Sequence, residues 1–173
     1  MKLNQINGFE DVLSSHEKQI FNHIYRMVGN RHDAEDLTQT TFIKVFDKFN
    51  SINESRNLKS WIYTIATNTV IDWMRSRKNK KSLNIISDPD SGFETLDAET
   101  PYTKLASKEL VYDIHSALQK IKPIYQTVIL LFYKEDFSYE EISKMLAIPL
   151  NTVKTYIHRA KADLKNLLEP SYG

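Results

Sequence analysis

The chain has 173 residues, room for one mid-sized domain or two small ones. Its 23 Lys and Arg against 22 Asp and Glu leave a net charge of +1, so total charge names no partner and local charge must decide. The absence of cysteine excludes a disulfide framework, thiolate zinc sites and cysteine nucleophiles, and fits a reducing compartment. The longest apolar run, Val128 to Tyr133, is far short of a membrane span. The amino-terminal MKLNQINGFEDVL lacks the pattern of a signal peptide, so the expected location is cytoplasmic.

Four glycines and five prolines give too little turn punctuation for a strand-rich protein, and the expected class is all-α. Phe9, Val12, Leu13, Ile20, Ile24, Met27 and Val28 recur at helical steps and predict a first helix that ends at Gly29. A second helix starts near Asn30, with Asp33, Glu35 and Asp36 at the positive end of its dipole and a stripe of Ala34, Leu37, Thr41, Phe42, Val45, Phe46 and Phe49. After the polar NSINESRN, Leu58, Trp61, Ile62, Ile65, Thr69 and Trp73 predict a third. Three helices around one aromatic-rich core make a first domain over residues 1–78.

Residues 79–102 carry no lasting helical stripe and read as a flexible linker, basic at first and acidic afterwards. Asp88, Asp90, Glu94, Asp97, Glu99 and Glu109 against Lys104 and Lys108 leave −4 from Ser82 to Glu109. Such a strand could occupy a basic channel, or could be only a solvated tether. Helical spacing resumes with Leu105, Val111, Ile114, Leu118 and Ile121, and Pro123 opens another helix through Tyr133, so residues 103–173 form a second helical domain.

The most specific stretch is SYEEISKMLAIPLNTVKTYIHRAKADLKNLL, which reads as helix, tight turn, helix. Ser138 and Glu141 form an S-x-x-E capping box, and Pro149 forbids continuation of the first helix. Asn151 or Thr152 can cap the second, whose Val153, Ile157, Ala160 and Leu164 face inward and leave Lys154, Thr155, His158, Lys161 and Lys165 outward. Asn151 to Lys165 carries a net +3, which suits a helix laid in a major groove, although an ordinary hairpin with a solvated face has the same spacing.

Two further clusters stand out. From Arg56 to Lys81 seven cations face the lone Asp72, a net +6, with Trp61, Tyr63 and Trp73 among them. Cations beside aromatics suit a melted strand, while Trp61 and Trp73 also fall on the apolar stripe and serve core packing equally well. On the second helix Asp33, Asp36 and Thr40 share a side, with Gln39 near them, as a protein-docking face would. A metal site there lacks a second ligand pair, and helix capping explains the acids more simply, so no metal and no cofactor is expected. No enzyme motif is present: His16 and Glu17 are followed by Ile20 where H-E-x-x-H needs histidine, and there is no phosphate loop or G-x-S-x-G.

Taken together, YRMVGNRHDAEDLTQTTFIKVF, SWIYTIATNTVIDWMRSRK and PIYQTVILLFYKEDFSYEEISKMLAIPLNTVKTYIHRAKADLK resemble, in order and separation, a bacterial RNA polymerase sigma factor of the extracytoplasmic-function group. The resemblance spans nearly the whole chain. It implies that Asp36, Leu37, Gln39, Thr40 and Phe42, beside Asp33, dock on core RNA polymerase. It implies that the loop with Asn53, Arg56 and Asn57 and the third helix with Lys59, Asn68, Asp72, Arg75 and Arg77 capture the melted minus-ten strand, with Trp61 mainly packing. The last helix, with Asn151, Thr152, Lys154, Thr155, Tyr156, His158 and Arg159, would read duplex minus-thirty-five DNA.

The family often has arginine where Tyr156 and Gln126 stand, which implies altered minus-thirty-five specificity and one weaker backbone contact. An anti-sigma factor, cytosolic or membrane-bound, is the implied regulator, and the free chain is expected to be a monomer. The rival readings are a stand-alone helix-turn-helix regulator, which would need a dimer that no heptad supports, and, more distantly, a metal nuclease.

Overall fold

A computed structural model describes the backbone of residues 2–52, 57–81 and 103–172 and the side chains of residues 8–52, 57–78 and 108–169. Among these residues there are seven α-helices and no strand: α1 (Lys2–Val28), α2 (Arg31–Lys48), α3 (Leu58–Lys81), α4 (Thr103–Lys120), α5 (Pro123–Tyr133), α6 (Tyr139–Leu146) and α7 (Leu150–Tyr172), with a 3₁₀ turn at Phe49–Ser51. The all-α expectation holds.

Local chemistry sets the helix ends. Gly29 takes φ 73 and returns its N–H to the Tyr25 carbonyl at 2.8 Å, closing α1 as expected. Asn30 caps α2, its side chain accepting from the Asp33 N–H at 3.0 Å. Pro123 occupies the first turn of α5, and both halves of the Ser138–Glu141 capping box are formed. Three boundaries differ from expectation. α1 begins at Lys2, and α3 runs to Lys81, three residues into the expected linker; residues 82–102 lie outside the described residues. α7 begins at Leu150, because the Pro149 carbonyl accepts from the N–H groups of Thr152 and Val153. Asn151 and Thr152 therefore sit inside the first turn rather than capping it.

In the amino-terminal domain α1, α2 and α3 pack pairwise around Ile20, Ile24, Met27, Val45, Ile62 and Val70. The carboxy-terminal domain packs α4, α5 and α6 on α7 around Val128, Leu131, Ile142, Val153, Ile157 and Ala160. Val111 and Ile114, expected inward, are exposed: among the described side chains of α4 only Ala117 and Leu118 in its last turn, with the following Ile121, enter the core, and the Leu105 side chain lies outside those described. Phe46 is also open to solvent, at the edge of α2 beside Phe9, their rings 5.0 Å apart.

The two domains are joined by more than the chain. α3 lies against α5 and α6, and α1 against α4 and α5. A Cβ on Gly29 would meet Gln119 of α4 at 3.1 Å and His115 at 3.2 Å, so this glycine serves both the turn and the close approach.

The turn of the helix-turn-helix holds a small strain. Ala147 sits at φ 52, ψ 43, the left-handed region, with Ile148 N–H returning to the Ser143 carbonyl at 3.1 Å and Ser143 Oγ donating to the Ile148 carbonyl at 2.6 Å. A non-glycine residue there costs about 1 kcal/mol. Ala147→Gly is expected to stabilise the fold by up to roughly 0.5 kcal/mol after the extra entropy of glycine is counted, read as a slightly raised thermal midpoint with duplex DNA affinity preserved.

Candidate nucleic-acid interface

α7 presents its predicted reading face. Lys154, Thr155, His158 and Arg159 are exposed, as is Asn151, while Val153, Ile157 and Ala160 hold the helix to α5 and α6. Thr152 is half-buried. Tyr156 departs from expectation: it is half-buried, with its ring 5.4 Å from that of Tyr125, because its place on the helix turns it toward α5. The Tyr125 hydroxyl accepts from Arg159 Nη1 at 3.4 Å, and the ammonium groups of Lys154 and Lys161 lie 5.9 and 5.1 Å from the rings of Tyr139 and Tyr133. Tyrosines of α5 and α6 thus steady three of the four cations counted on this helix.

α3 carries the second face. Asn68, Asp72 and Arg75 recur at four- and three-residue steps, are all exposed, and form one stripe, Arg75 lying 3.6 Å from Asp72. Asn57 is exposed and caps the helix by accepting from the Ser60 N–H at 3.2 Å. Asn53 and Arg56 lie outside the described residues. Arg77 is committed elsewhere: Nη1 pairs with Asp33 at 3.0 Å, and the guanidinium stacks 4.7 Å above Trp73. Two residues expected in different sites, Asp33 for docking and Arg77 for DNA, therefore tie α2 to α3.

Tyr63, counted among the aromatics near the strand, is buried. It cannot stack on a base while the domains are packed, because its hydroxyl donates to Glu135 Oε2 at 2.7 Å across the domain boundary. Lys59, placed among the strand-binding residues, donates from Nζ to the Glu135 carbonyl at 3.0 Å. The amino-terminal part of the α3 stripe (Asn57, Ser60, Trp61, Thr64) walls a groove of about 570 Å³ whose other wall is Glu141, Lys144 and Met145 of α6.

On α2, Asp36, Gln39 and Thr40 are exposed as expected, with His32 3.6 Å from Asp36 and the Thr40 hydroxyl donating to the Asp36 carbonyl at 2.9 Å. Leu37 and Phe42 point the other way. Both are 6% exposed, so they lie beneath the face expected to dock rather than on it. In their place the exposed Ile43 and Phe46, with Phe9 and Leu13 of α1, edge an apolar groove of about 460 Å³. Ile43 was legible as an apolar residue one turn from Gln39 and Thr40.

Glu135, only 8% exposed, collects charges no sequence pattern announces. His23 Nδ1 and Arg26 Nη1 each lie 3.4 Å from its Oε1. Burial alone pushes the carboxyl up, but His23, Tyr63 and Arg26 together outweigh it and hold Glu135 below the usual carboxylate range. Burial, followed by the charge of Glu135, drives the Tyr63 hydroxyl far above its usual value, so it remains a donor. His23 Nε2 is 3.1 Å from the Thr67 hydroxyl, which sets hydroxyl, imidazole and carboxylate in the order of a nucleophile relay. Thr67 and His23 are wholly buried, however, so no reactant reaches them and the line acts as a structural one. No group of three or more His, Cys, Asp or Glu among the described residues is placed to hold a metal ion.

A helix-turn-helix with an exposed cationic face, packed on three helices that carry an exposed polar stripe, is the arrangement of a DNA-binding protein. Residues 12–80 match Sigma-70 region 2 and residues 112–164 match Sigma-70, region 4. The chain belongs to the extracytoplasmic-function (ECF) sigma factors of bacterial RNA polymerase. It is 34% identical to the ECF RNA polymerase sigma factor SigW of Bacillus subtilis, over 94% of this chain and 89% of that one. It is 30% identical to the RNA polymerase sigma factor YlaC of the same organism, over 95% and 94% of the two chains. Among solved structures, the fold is similar to that of RpoE from Bartonella quintana, co-crystallised with the anti-sigma factor NepR: TM-score 0.74, 23% identity, 94% of this chain and 97% of that one.

Proposed function

We propose that this sigma factor docks on core RNA polymerase through the exposed face of α2, reads duplex minus-thirty-five DNA with α7, and holds the melted minus-ten strand along α3. The observation that carries this reading is the pair of exposed polar faces, Lys154–Thr155–His158–Arg159 on α7 and Asn68–Asp72–Arg75 on α3, displayed on two separate helical units. Phosphates meet the lysine and arginine side chains, and base edges meet the asparagine, threonine and histidine. Opening the duplex costs unstacking energy, which a cationic groove with polar pockets offsets. The polymerase supplies the chemistry, and the sigma chain supplies the choice of start site.

Docking rests on Asp36, Gln39 and Thr40, with Ile43 and Phe46 adding the apolar centre that a lasting contact needs. A regulator of the NepR kind, an anti-sigma factor, is the proposed inhibitor, and the working compartment is the cytoplasm. No described helix is long and apolar enough to cross a membrane, so any hold at the membrane would come from that partner.

The test is pull-down and run-off transcription with purified core polymerase, wild type beside Asp36→Ala with Gln39→Ala. Both residues are exposed, so the fold is expected to survive while polymerase capture and promoter-dependent transcripts fall at least tenfold, about 1.4 kcal/mol of docking. Binding of a palindromic duplex by a dimer of the chain alone, with no polymerase capture, would favour the stand-alone regulator instead.

A further inference from the structure

α7 carries a single arginine, Arg159, and so a single planar fork able to meet a guanine edge through paired hydrogen bonds. The side chain is exposed, and a free arginine sweeps many rotamers that must be given up before a base can be read. Lysine heads need no such order, because an ammonium meets a phosphate as a point charge.

α5 supplies the order that Arg159 needs. Pro123 fixes the first turn of α5, and Tyr125 in that turn is 5% exposed, its N–H donating to the Lys122 carbonyl at 2.9 Å. The Tyr125 ring is gripped between elements: the Tyr156 ring of α7 lies 5.4 Å from it, and the Lys122 ammonium lies 5.4 Å from its centroid. A tyrosine has few torsions, and burial among such neighbours holds them. Its oxygen therefore stands at a set place, where it accepts from Arg159 Nη1 at 3.4 Å. A bond of that length orients the guanidinium without immobilising it, and it uses a single N–H, leaving the others for DNA. Lys154 is held differently, its ammonium 5.9 Å from the Tyr139 ring, an attraction that imposes no plane on it. Gln126, the residue after Tyr125, is 2% exposed, and its amide donates to the carbonyls of Arg26 and Met27 at 3.2 Å each. Tyr125, not Gln126, is thus the residue this turn offers to α7.

We propose that Tyr125 is a positioning residue: its buried hydroxyl sets the Arg159 guanidinium in advance, so that Arg159 selects one base pair of the minus-thirty-five element while Lys154 serves phosphate whatever the sequence. The proposal rests on α7 being the duplex-reading helix. Tyr125 acts through Arg159 and needs no contact of its own with DNA. Tyr156 belongs to the same device, since its ring backs the phenol.

The probe is a pool of fully paired duplexes of random sequence, selected on the chain assembled with core polymerase and sequenced. Wild type, Tyr125→Phe, Arg159→Ala, Arg159→Lys and the double variant Tyr125→Phe with Arg159→Ala are compared. Arg159→Ala is expected to abolish the preference at one base pair, which identifies the pair that Arg159 reads. Arg159→Lys keeps the charge without the fork, and is expected to lose the same preference while the salt dependence of binding stays as in wild type. Tyr125→Phe removes one oxygen and keeps the buried ring, so the fold is expected to stand. Preference at that same pair is then expected to fall roughly threefold to tenfold, part of the roughly tenfold to hundredfold that a paired arginine–guanine contact supplies. Preferences at the other pairs, and the salt slope, are expected to hold. With Arg159→Ala already present, Tyr125→Phe is expected to change nothing further, because its only route to DNA is gone.

A Tyr125→Phe protein that keeps the preference at that pair, weakens every pair alike, or adds a loss to that of Arg159→Ala overturns the positioning role and leaves α7 as the reading helix. Arg159→Ala without effect at any pair removes Arg159 as a base reader and overturns the proposal with it. A wild type that enriches no duplex overturns the reading of α7 itself.

Discussion

Ile142→Ala is expected to lower stability by roughly 2–5 kcal/mol and to cost most of the minus-thirty-five duplex affinity while core polymerase capture persists. Ile142 is wholly buried on α6, facing a core it shares with Val153, also wholly buried, on α7. α6 is only eight residues long, too short to stand alone, and the buried Ile142 and Met145 are what hold it to the rest. Removing three carbons leaves a cavity at the joint that fixes the angle between the two helices of the motif, so α7 loses the platform from which Lys154 and Arg159 reach a groove. The proposed docking face lies on α2, whose core residues Leu37, Phe42 and Val45 are remote from α6 in the chain and pack with α1 and α3. Chemical denaturation reads the first effect, fluorescence anisotropy on a promoter duplex the second, and pull-down the third. Full duplex affinity at reduced stability would mean that α7 reads DNA without help from α6.

The helices were legible because each rests on a short-range rule. Gly29, Asn30, Pro123 and the Ser138–Glu141 box act within one turn of themselves, and the stripes of α1, α2, α6 and α7 repeat at helical spacing. The exposed faces of α7 and α3 were legible for the same reason: once the buried stripe is known, the remaining polar residues face outward. What stayed hidden is the packing of one domain on the other. Glu135 meets Tyr63 and His23 across separations of 72 residues or more, and a lone histidine, tyrosine and glutamate show no period. Tyr63 looked like a stacking platform because aromatic character does not say which way a ring faces. Gln126 looked like a lost arginine because its partner is a bare carbonyl of another domain, which no side-chain pattern reports. Leu37 and Phe42 were assigned by resemblance to a surface they underlie, while their own place on the stripe already pointed inward.

Separate faces for separate elements predict separable defects. Asn68→Ala with Arg75→Ala removes the proposed base-edge partner and the proposed phosphate partner from the open half of the α3 stripe, at two exposed positions. Each lost polar contact to an unstacked base or its phosphate is worth about 1 kcal/mol net, so with both gone run-off from a fully paired promoter is expected to fall roughly 10- to 100-fold. On a template already opened by mismatches across the minus-ten element, the duplex no longer has to be unstacked, and most of that loss is expected to return. Lys154→Ala with Arg159→Ala acts elsewhere. It removes phosphate and base contacts to intact duplex, so paired and pre-opened templates should suffer alike, and the salt dependence of binding should flatten by about one unit for each phosphate lost. Rescue by a pre-opened template in both pairs, or in neither, would show that the two faces do not divide the promoter as proposed, because only the face that captures the melted strand gains from having the melting done in advance.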